Sequence, residues 1–255
     1  RFWIGETNGG KSVYQSVLRC MTGDYYCDIP GHVYMSKKNQ GSGPNPELAL
    51  ADGAALAFTA EASDKEPMEG ASMKRMAGGS DTMFARLNHD NGGSIETSFK
   101  SVFPLNCVPN IDGLDEATKL RFMMTPFEGR CVSEKEELFK KVPKNFEDQI
   151  KAKLFPMDVN FNKQSNICRL ATALLWIFFQ KYKDYCKEGL NPPKYMKTYM
   201  DNYWKQNDPM LAFITECLEN PKKKIKDDDG IEREVIDVSK SVTASEIYQP
   251  FARWY

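Results

Sequence analysis

The stretch Gly5-Glu6-Thr7-Asn8-Gly9-Gly10-Lys11-Ser12 constrains this chain more than any other. It fits the phosphate-loop pattern G-x-x-x-x-G-K-[ST]. Glycines let successive backbone N–H groups turn inward as an anion nest. Lys11 can reach the β- and γ-phosphates of a nucleotide, and the Ser12 hydroxyl can hold Mg²⁺. The flanks agree. "FWI" reads as the end of a strand, and "SVYQSVLRCM" repeats Val13, Val17, Leu18 and Met21 at helical spacing. Strand, glycine loop and helix N-terminus together present the helix dipole to a phosphate. Gly5 to Ser12 are the expected nucleotide-binding residues.

Phosphate binding alone is not hydrolysis. An ATPase core also needs a carboxylate for Mg²⁺ and the attacking water, a polar group sensing the γ-phosphate, and a cation for the transition-state charge. The chain supplies candidates in order. "ALAFTAE" is a short apolar run that would deliver Glu61 to the edge of a parallel sheet, and "VFPLN" ends on Asn106 in the same way. Arg121 sits between a short helix and a strand in "LDEATKLRFMMTPF". Singly, each has a bland reading: a solvated strand-end acid, a turn residue, a surface cation. Order and strand-end placement favour the joint reading.

Charge adds a limit. Lys plus Arg total 34 against 35 for Asp plus Glu, so any basic surface must be local. The seven cysteines are scattered with no C-x-x-C pair, which is poor zinc spacing and suits a reducing, intracellular compartment. The longest apolar run, "LATALLWIFF", is far short of a membrane span. Asn91-Gly92-Gly93 between "TMFARLNHD" and "SIETSFKSVFPLN" signals a β-hairpin. "ICRLATALLWIFFQKYKDYCKEGL" is apolar almost all round its first half, which predicts a buried helix stopped at Gly189. "PKKKIKDDDGIERE" reads as a solvated loop or hairpin. Both ends read as cut from something larger: only "RFW" precedes the loop turn, and "ASEIYQPFARWY" stops in mid-pattern.

Taken together, "GETNGGKS", "LAFTAE", "MKRMAGGSDTMFAR", "LNCVPNI" and "ATKLRFMMTPF" resemble the superfamily 3 helicase domain of the poxvirus-type primase–helicases of large DNA viruses. Primase–helicases of satellite phages and plasmids share much of the pattern. The resemblance implies an α/β AAA+ core, a parallel sheet flanked by helices with a β-hairpin insertion, over residues 1–132. A helical region over 133–222 and the start of a winged-helix-like tail over 223–255 would follow. It implies an ATP- and Mg²⁺-dependent enzyme, a homo-hexameric ring moving 3′→5′ on single-stranded DNA, with a primase domain upstream on the same polypeptide. It would be intracellular, in the cytoplasm or nucleus of a eukaryotic host or the cytoplasm of a bacterial one, with no membrane contact.

Carried over by residue, Lys11 and Ser12 keep their roles, Glu61 is the catalytic carboxylate and Asp64 assists the metal. Asn106 is the first sensor, and Arg121 stands at the arginine-finger position with Arg130 in reserve. Lys74, Arg75 and Arg86 at the hairpin base, His89 in its turn and Lys100 on its return arm would hold DNA backbone, which needs phosphate contacts but no base code. Two departures stand out. Gly78-Gly79-Ser80-Asp81 is one residue longer than the usual G-G-D, and Glu61 has no adjacent acidic partner. The first blurs which side chain meets DNA; the second weakens the metal role of Asp64. The competing readings are a phosphate-loop kinase, a packaging or partition ATPase, or a ring subunit that binds nucleotide without turnover.

Overall fold

The structure is a computed structural model. It describes residues 1–35, 46–60, 67–77, 82–85, 93–108, 110–112, 115–206, 209–218, 222–226, 232–236 and 243–254. Contacts divide the chain into two compact units, Arg1–Met196 and Lys197–Tyr255.

In the first unit β1 (Phe2–Ile4) passes through the phosphate loop into α1 (Lys11–Thr22). Next come β2 (Tyr26–Pro30), the single-turn helices α2 (His32–Met35) and α3 (Pro46–Ala49), and β3 (Leu56–Ala60). β4 (Met68–Glu69) runs into α4 (Gly70–Ala77), and β5 (Thr82–Ala85) and β6 (Gly93–Glu96) follow. β7 (Lys100–Leu105), β8 (Ile111–Asp112), α5 (Glu116–Arg121) and β9 (Met124–Pro126) complete the core.

Five of these strands form one parallel sheet in the order β2-β3-β7-β1-β9. The fold is α/β, with a parallel sheet flanked by helices. Both faces are covered, which is why β1 is apolar at consecutive positions. Trp3 faces α1 and packs with Leu18, Phe58 and Val102. Phe2 meets Phe103 at 5.0 Å and the edge of Phe122 at 5.3 Å between ring centroids. β2, read in the sequence only as a tail, is an edge strand paired on one side. A strand with a single partner shows a weaker apolar signal.

β7 carries a proline at a position where a central strand should donate. Its first half, Lys100–Val102, pairs with β3, and its second half, Phe103–Leu105, pairs with β1. The Phe103 N–H donates to the Arg1 carbonyl at 2.8 Å, so the nitrogen of Pro104 turns away from β1. On that side the pairing with β3 has already ended. The missing donor costs no ladder bond.

The hairpin is present, with Thr82 opposite Glu96 and Ala85 opposite Gly93. The Asn91-Gly92 turn lies outside the described residues. The hairpin differs from the sequence reading in one respect. Lys100 opens β7 of the central sheet, while the return arm ends at Glu96.

Beyond the core, β10 (Arg130–Val132) pairs in parallel with β11 (Leu154–Pro156), enclosing α6 (Phe146–Ala152). α7 (Gln164–Glu188) ends at Gly189, as read. It packs on α1 through Ile167 and Ala171 against Val17, and the thiols of Cys20 and Cys168 lie 3.2 Å apart across that seam. The expectation of a buried helix is corrected: Trp176, Phe179 and Tyr182 are all more than 60% exposed. Around the division lies α8 (Lys194–Gln206), and the second unit adds α9 (Pro209–Cys217). An antiparallel hairpin of β12 (Lys222–Lys226) and β13 (Glu232–Ile236) precedes α10 (Ala244–Trp254). Phe213 packs on Phe251 and Trp254.

Candidate nucleotide-binding site

The phosphate loop leaves the carboxyl end of β1 between its two neighbours in the sheet. The Ile4–Gly5 peptide is pinned on both sides: the Gly5 N–H donates to the Leu105 carbonyl at 3.2 Å, and the Phe127 N–H to the Ile4 carbonyl at 2.6 Å. A Cβ on Gly5 would lie 2.3 Å from the Phe127 carbonyl oxygen. Only glycine fits there. Asn8 and Gly10 both adopt left-handed backbone, with φ of 65° and 85°, the alternation that makes an anion nest. Gly10 caps α1 with no side-chain acceptor, so the first-turn amides keep their donors for a ligand. Glu6, Thr7 and Asn8 are exposed; Gly9 and Gly10 are half-buried.

Lys11 turns back into this loop. Its Nζ donates to the Gly5 carbonyl, to the Glu6 carbonyl at 3.0 Å and to Asn106 Oδ1 at 3.2 Å. Burial lowers its pKa, because an ammonium withdrawn from water loses solvation. Main-chain oxygens hold the ammonium where phosphate oxygens would. Asn106 immediately follows β7, and β7 lies beside β1. Residues separated by 95 positions thus converge at one sheet edge. Ser12 is exposed on the first turn of α1, next to the lysine and free of the core. The loop, lysine and hydroxyl have the chemistry of a nucleotide-Mg²⁺ site. Among the described residues no cluster of three metal-ligating side chains occurs.

Beside the loop a cavity of about 720 Å³ opens between α1, α7 and the 155–162 segment. Asn8, Tyr14, Val17, Phe155, Phe161 and Leu174 are among its walls, which are largely apolar. Such a size and lining suit a small organic ligand.

The other predicted residues divide. Glu61 and Asp64 lie outside the described residues, as do Arg86 and His89; Glu61 follows β3 directly in sequence. Arg121 is the last residue of α5, exposed, with its guanidinium bonded to the Ala117 carbonyl at 2.9 Å. Among the described residues it makes no bond to the loop. Lys74 on α4 is tied to Asp115, the N-cap of α5, at 2.8 Å. Arg75 bonds the Ser72 hydroxyl at 3.2 Å. Lys100 sits at the amino edge of the sheet, opposite the edge that carries the phosphate loop.

Sequence reading missed two partners of the loop. Phe127 presses its carbonyl against Gly5, and Arg130 places Nη1 3.6 Å from Glu6 Oε2. Both lie more than 120 positions downstream, where no local pattern can announce them.

No family model matches the chain. It is 28% identical over 237 residues to "Putative helicase 022R" of Frog virus 3 (isolate Goorha), covering 90% of this chain and 23% of that protein. It is 27% identical over 186 residues to "Putative helicase 184R" of Invertebrate iridescent virus 6, covering 71% of this chain and 18% of that protein. With "Putative helicase V13" of Sputnik virophage it shares 25% identity over 224 residues, covering 86% of this chain and 27% of that protein. The chain therefore spans about a quarter or less of the curated relatives it matches. Among solved structures, the NrS-1 C-terminal region aligns with 92% of this chain and 65% of its own at 12% identity and a TM-score of 0.37. The chain is thus related in sequence to proteins of large DNA viruses, and of a virophage, that carry the name helicase.

Proposed function

We propose that this chain is the motor segment of a superfamily 3 DNA helicase: an AAA+ ATPase using ATP and Mg²⁺ in viral or mobile-element DNA replication. The observation that carries this is the convergence of Lys11 Nζ and Asn106 Oδ1, 3.2 Å apart, within a glycine loop at the carboxyl edge of a parallel sheet. The helicase names of the relatives agree with it.

The loop amides and Lys11 bind the phosphates, and the apolar cavity takes the nucleoside. Ser12 and Glu61, with Asp64 behind them, would hold Mg²⁺, which supplies charge neutralisation at the phosphate oxygens. Glu61 orients the attacking water, Asn106 reads whether a γ-phosphate is present, and Arg121 supplies charge from a neighbouring subunit of a homo-hexamer. The β5–β6 hairpin with Lys74, Arg75, Arg86 and His89 contacts single-stranded DNA. Translocation runs 3′→5′, with a primase domain upstream and residues 223–255 as the start of a winged-helix-like tail.

The test measures nucleotide binding and DNA-stimulated hydrolysis together. Lys11→Ala should lose tight MgATP binding, since Lys11 acts in the ground state; Glu61→Gln should bind and not turn over. Hydrolysis at the parental rate by Glu61→Gln, or a rate indifferent to single-stranded DNA, would sink the proposal.

A further inference from the structure

Glu6 is out of place electrostatically. It occupies the first variable position of a loop built to receive a polyanion, and its side chain is 81% exposed. A carboxylate there repels the incoming triphosphate unless something offsets it. Arg130 is positioned to do so. Its Nη1 lies 3.6 Å from Glu6 Oε2, and its Nη2 donates to Glu136 Oε2 at 3.0 Å. Glu136 is itself held by the Ser133 N–H at 3.0 Å, so the guanidinium is anchored on one side and leans over the loop with the other. Its Nε is buried without a hydrogen-bond partner, so the donor set is not saturated by the protein.

The backbone fixes this placement within one chain. The Cys131 N–H donates to the Asn8 carbonyl at 2.9 Å, and the Arg130 N–H to the Lys153 carbonyl at 2.9 Å. Arg130 is thereby stitched to its own phosphate loop through the adjacent residue. An arginine finger acting on a neighbour needs the opposite: a guanidinium presented away from its own loop, as Arg121 is on α5.

We infer that Arg130 is a positioning residue acting in cis, neutralising Glu6 so that its own phosphate loop accepts a nucleoside triphosphate. This rests on the nucleotide-binding reading above. It removes Arg130 as a substitute finger and gives Glu6 a role: an acid that makes the empty loop's affinity depend on one ion pair.

The experiment titrates a fluorescent ATP analogue with Mg²⁺ into the parental protein, Arg130→Ala, Arg130→Lys, Glu6→Gln and the Glu6→Gln/Arg130→Ala double variant. Circular dichroism checks that each is folded. Arg130→Ala should bind on the order of tenfold more weakly, the scale of one uncompensated charge near the surface. Arg130→Lys should recover part of the loss, and Glu6→Gln should bind severalfold more tightly than parent. The decisive result is the double variant, which should return to within about threefold of parental affinity, because removing the repelling carboxylate removes the need for the cation. A merely structural arginine would leave the double variant as weak as Arg130→Ala, and that outcome overturns the inference. Parental binding by Arg130→Ala overturns it alone. A parental protein that binds no nucleotide overturns the nucleotide reading and this inference with it.

Discussion

An alanine at position 5 would drive its methyl to 2.3 Å from the Phe127 carbonyl oxygen, a contact neither backbone can relieve without moving β1 from β9. Overpacking of this kind typically costs about 1–3 kcal/mol. Gly5→Ala should therefore lower the melting temperature in differential scanning calorimetry and weaken nucleotide binding together. A variant that melts like the parent contradicts the close approach. Lys11 gives a second prediction. Its pKa is lowered by burial from 10.5, so the charge that grips phosphate disappears at a lower pH than for a surface lysine. Nucleotide affinity should begin to fall below the ordinary lysine range as pH rises. For stability the sign is reversed: folding buries a charge while the pH is below the depressed folded pKa, and that penalty is relieved as pH climbs through it toward the unfolded value. The loop itself was legible in the sequence because its chemistry is local. The Arg130–Glu6 pair was not, because an ion pair 124 positions apart leaves no trace in either neighbourhood.

Helix α7 shows how periodicity identifies an element and misjudges its surroundings. Its length and its stop at Gly189 were readable, yet its apolar middle faces solvent over much of its circumference. Hydrophobic pattern reports what a helix can bury, not what the chain offers to cover it. The contrast is testable by thermal melts. Ile167→Ala, in the seam with α1, should cost about 2–5 kcal/mol, while Trp176→Ser and Phe179→Ser should each stay within about 0.5 kcal/mol. Equal losses would mean that the exposed face is covered in solution. The cap of α5 offers a pH measurement. Hydrogen bonding to Lys74, then to the Thr118 side chain and backbone, holds the Asp115 carboxyl well below the usual carboxylate range. This stabilisation is therefore complete above the unfolded carboxylate pKa of about 4 and is lost as pH falls from there toward the depressed folded value. Asp115→Asn should flatten the acid limb of stability, and Lys74→Ala should raise the Asp115 pKa seen by NMR titration. Any loss of DNA binding in Lys74→Ala has to be read beside that change.

Across the whole molecule, several buried strands were readable one by one, but neither the edge strand β2 nor the strand order was. Apolar runs at β1, β3 and β7 announce buried parallel strands, whereas the order β2-β3-β7-β1-β9 pairs strands far apart in the chain, which no local pattern states. Assembly is the prediction that belongs at this scale. Arginine fingers are worth about 10³–10⁵ in rate, so Arg121→Ala should bind ATP nearly normally and hydrolyse almost none. Mixing it with Lys11→Ala under subunit exchange should regain activity that neither protein has, wherever an intact Lys11 faces an intact Arg121. Mixed oligomers that stay dead would rule out a finger acting in trans. Arg130→Ala mixed with Lys11→Ala gives a built-in contrast: no gain is expected, since each lesion stays with its own subunit's loop and pairing subunits repairs neither.

β7 joins two strands that never touch. β1, which carries the phosphate loop, and β3, which Glu61 follows, are each hydrogen-bonded to a different half of it. In carpentry this is a lap joint, and the relative height of the two boards is set wholly by where they are pinned. A slip of one residue in either half would offset lysine loop and carboxylate strand by about 3.3 Å along the sheet, more than the length of a hydrogen bond. The alignment of the chemistry is thus gauged by six residues that perform none of it.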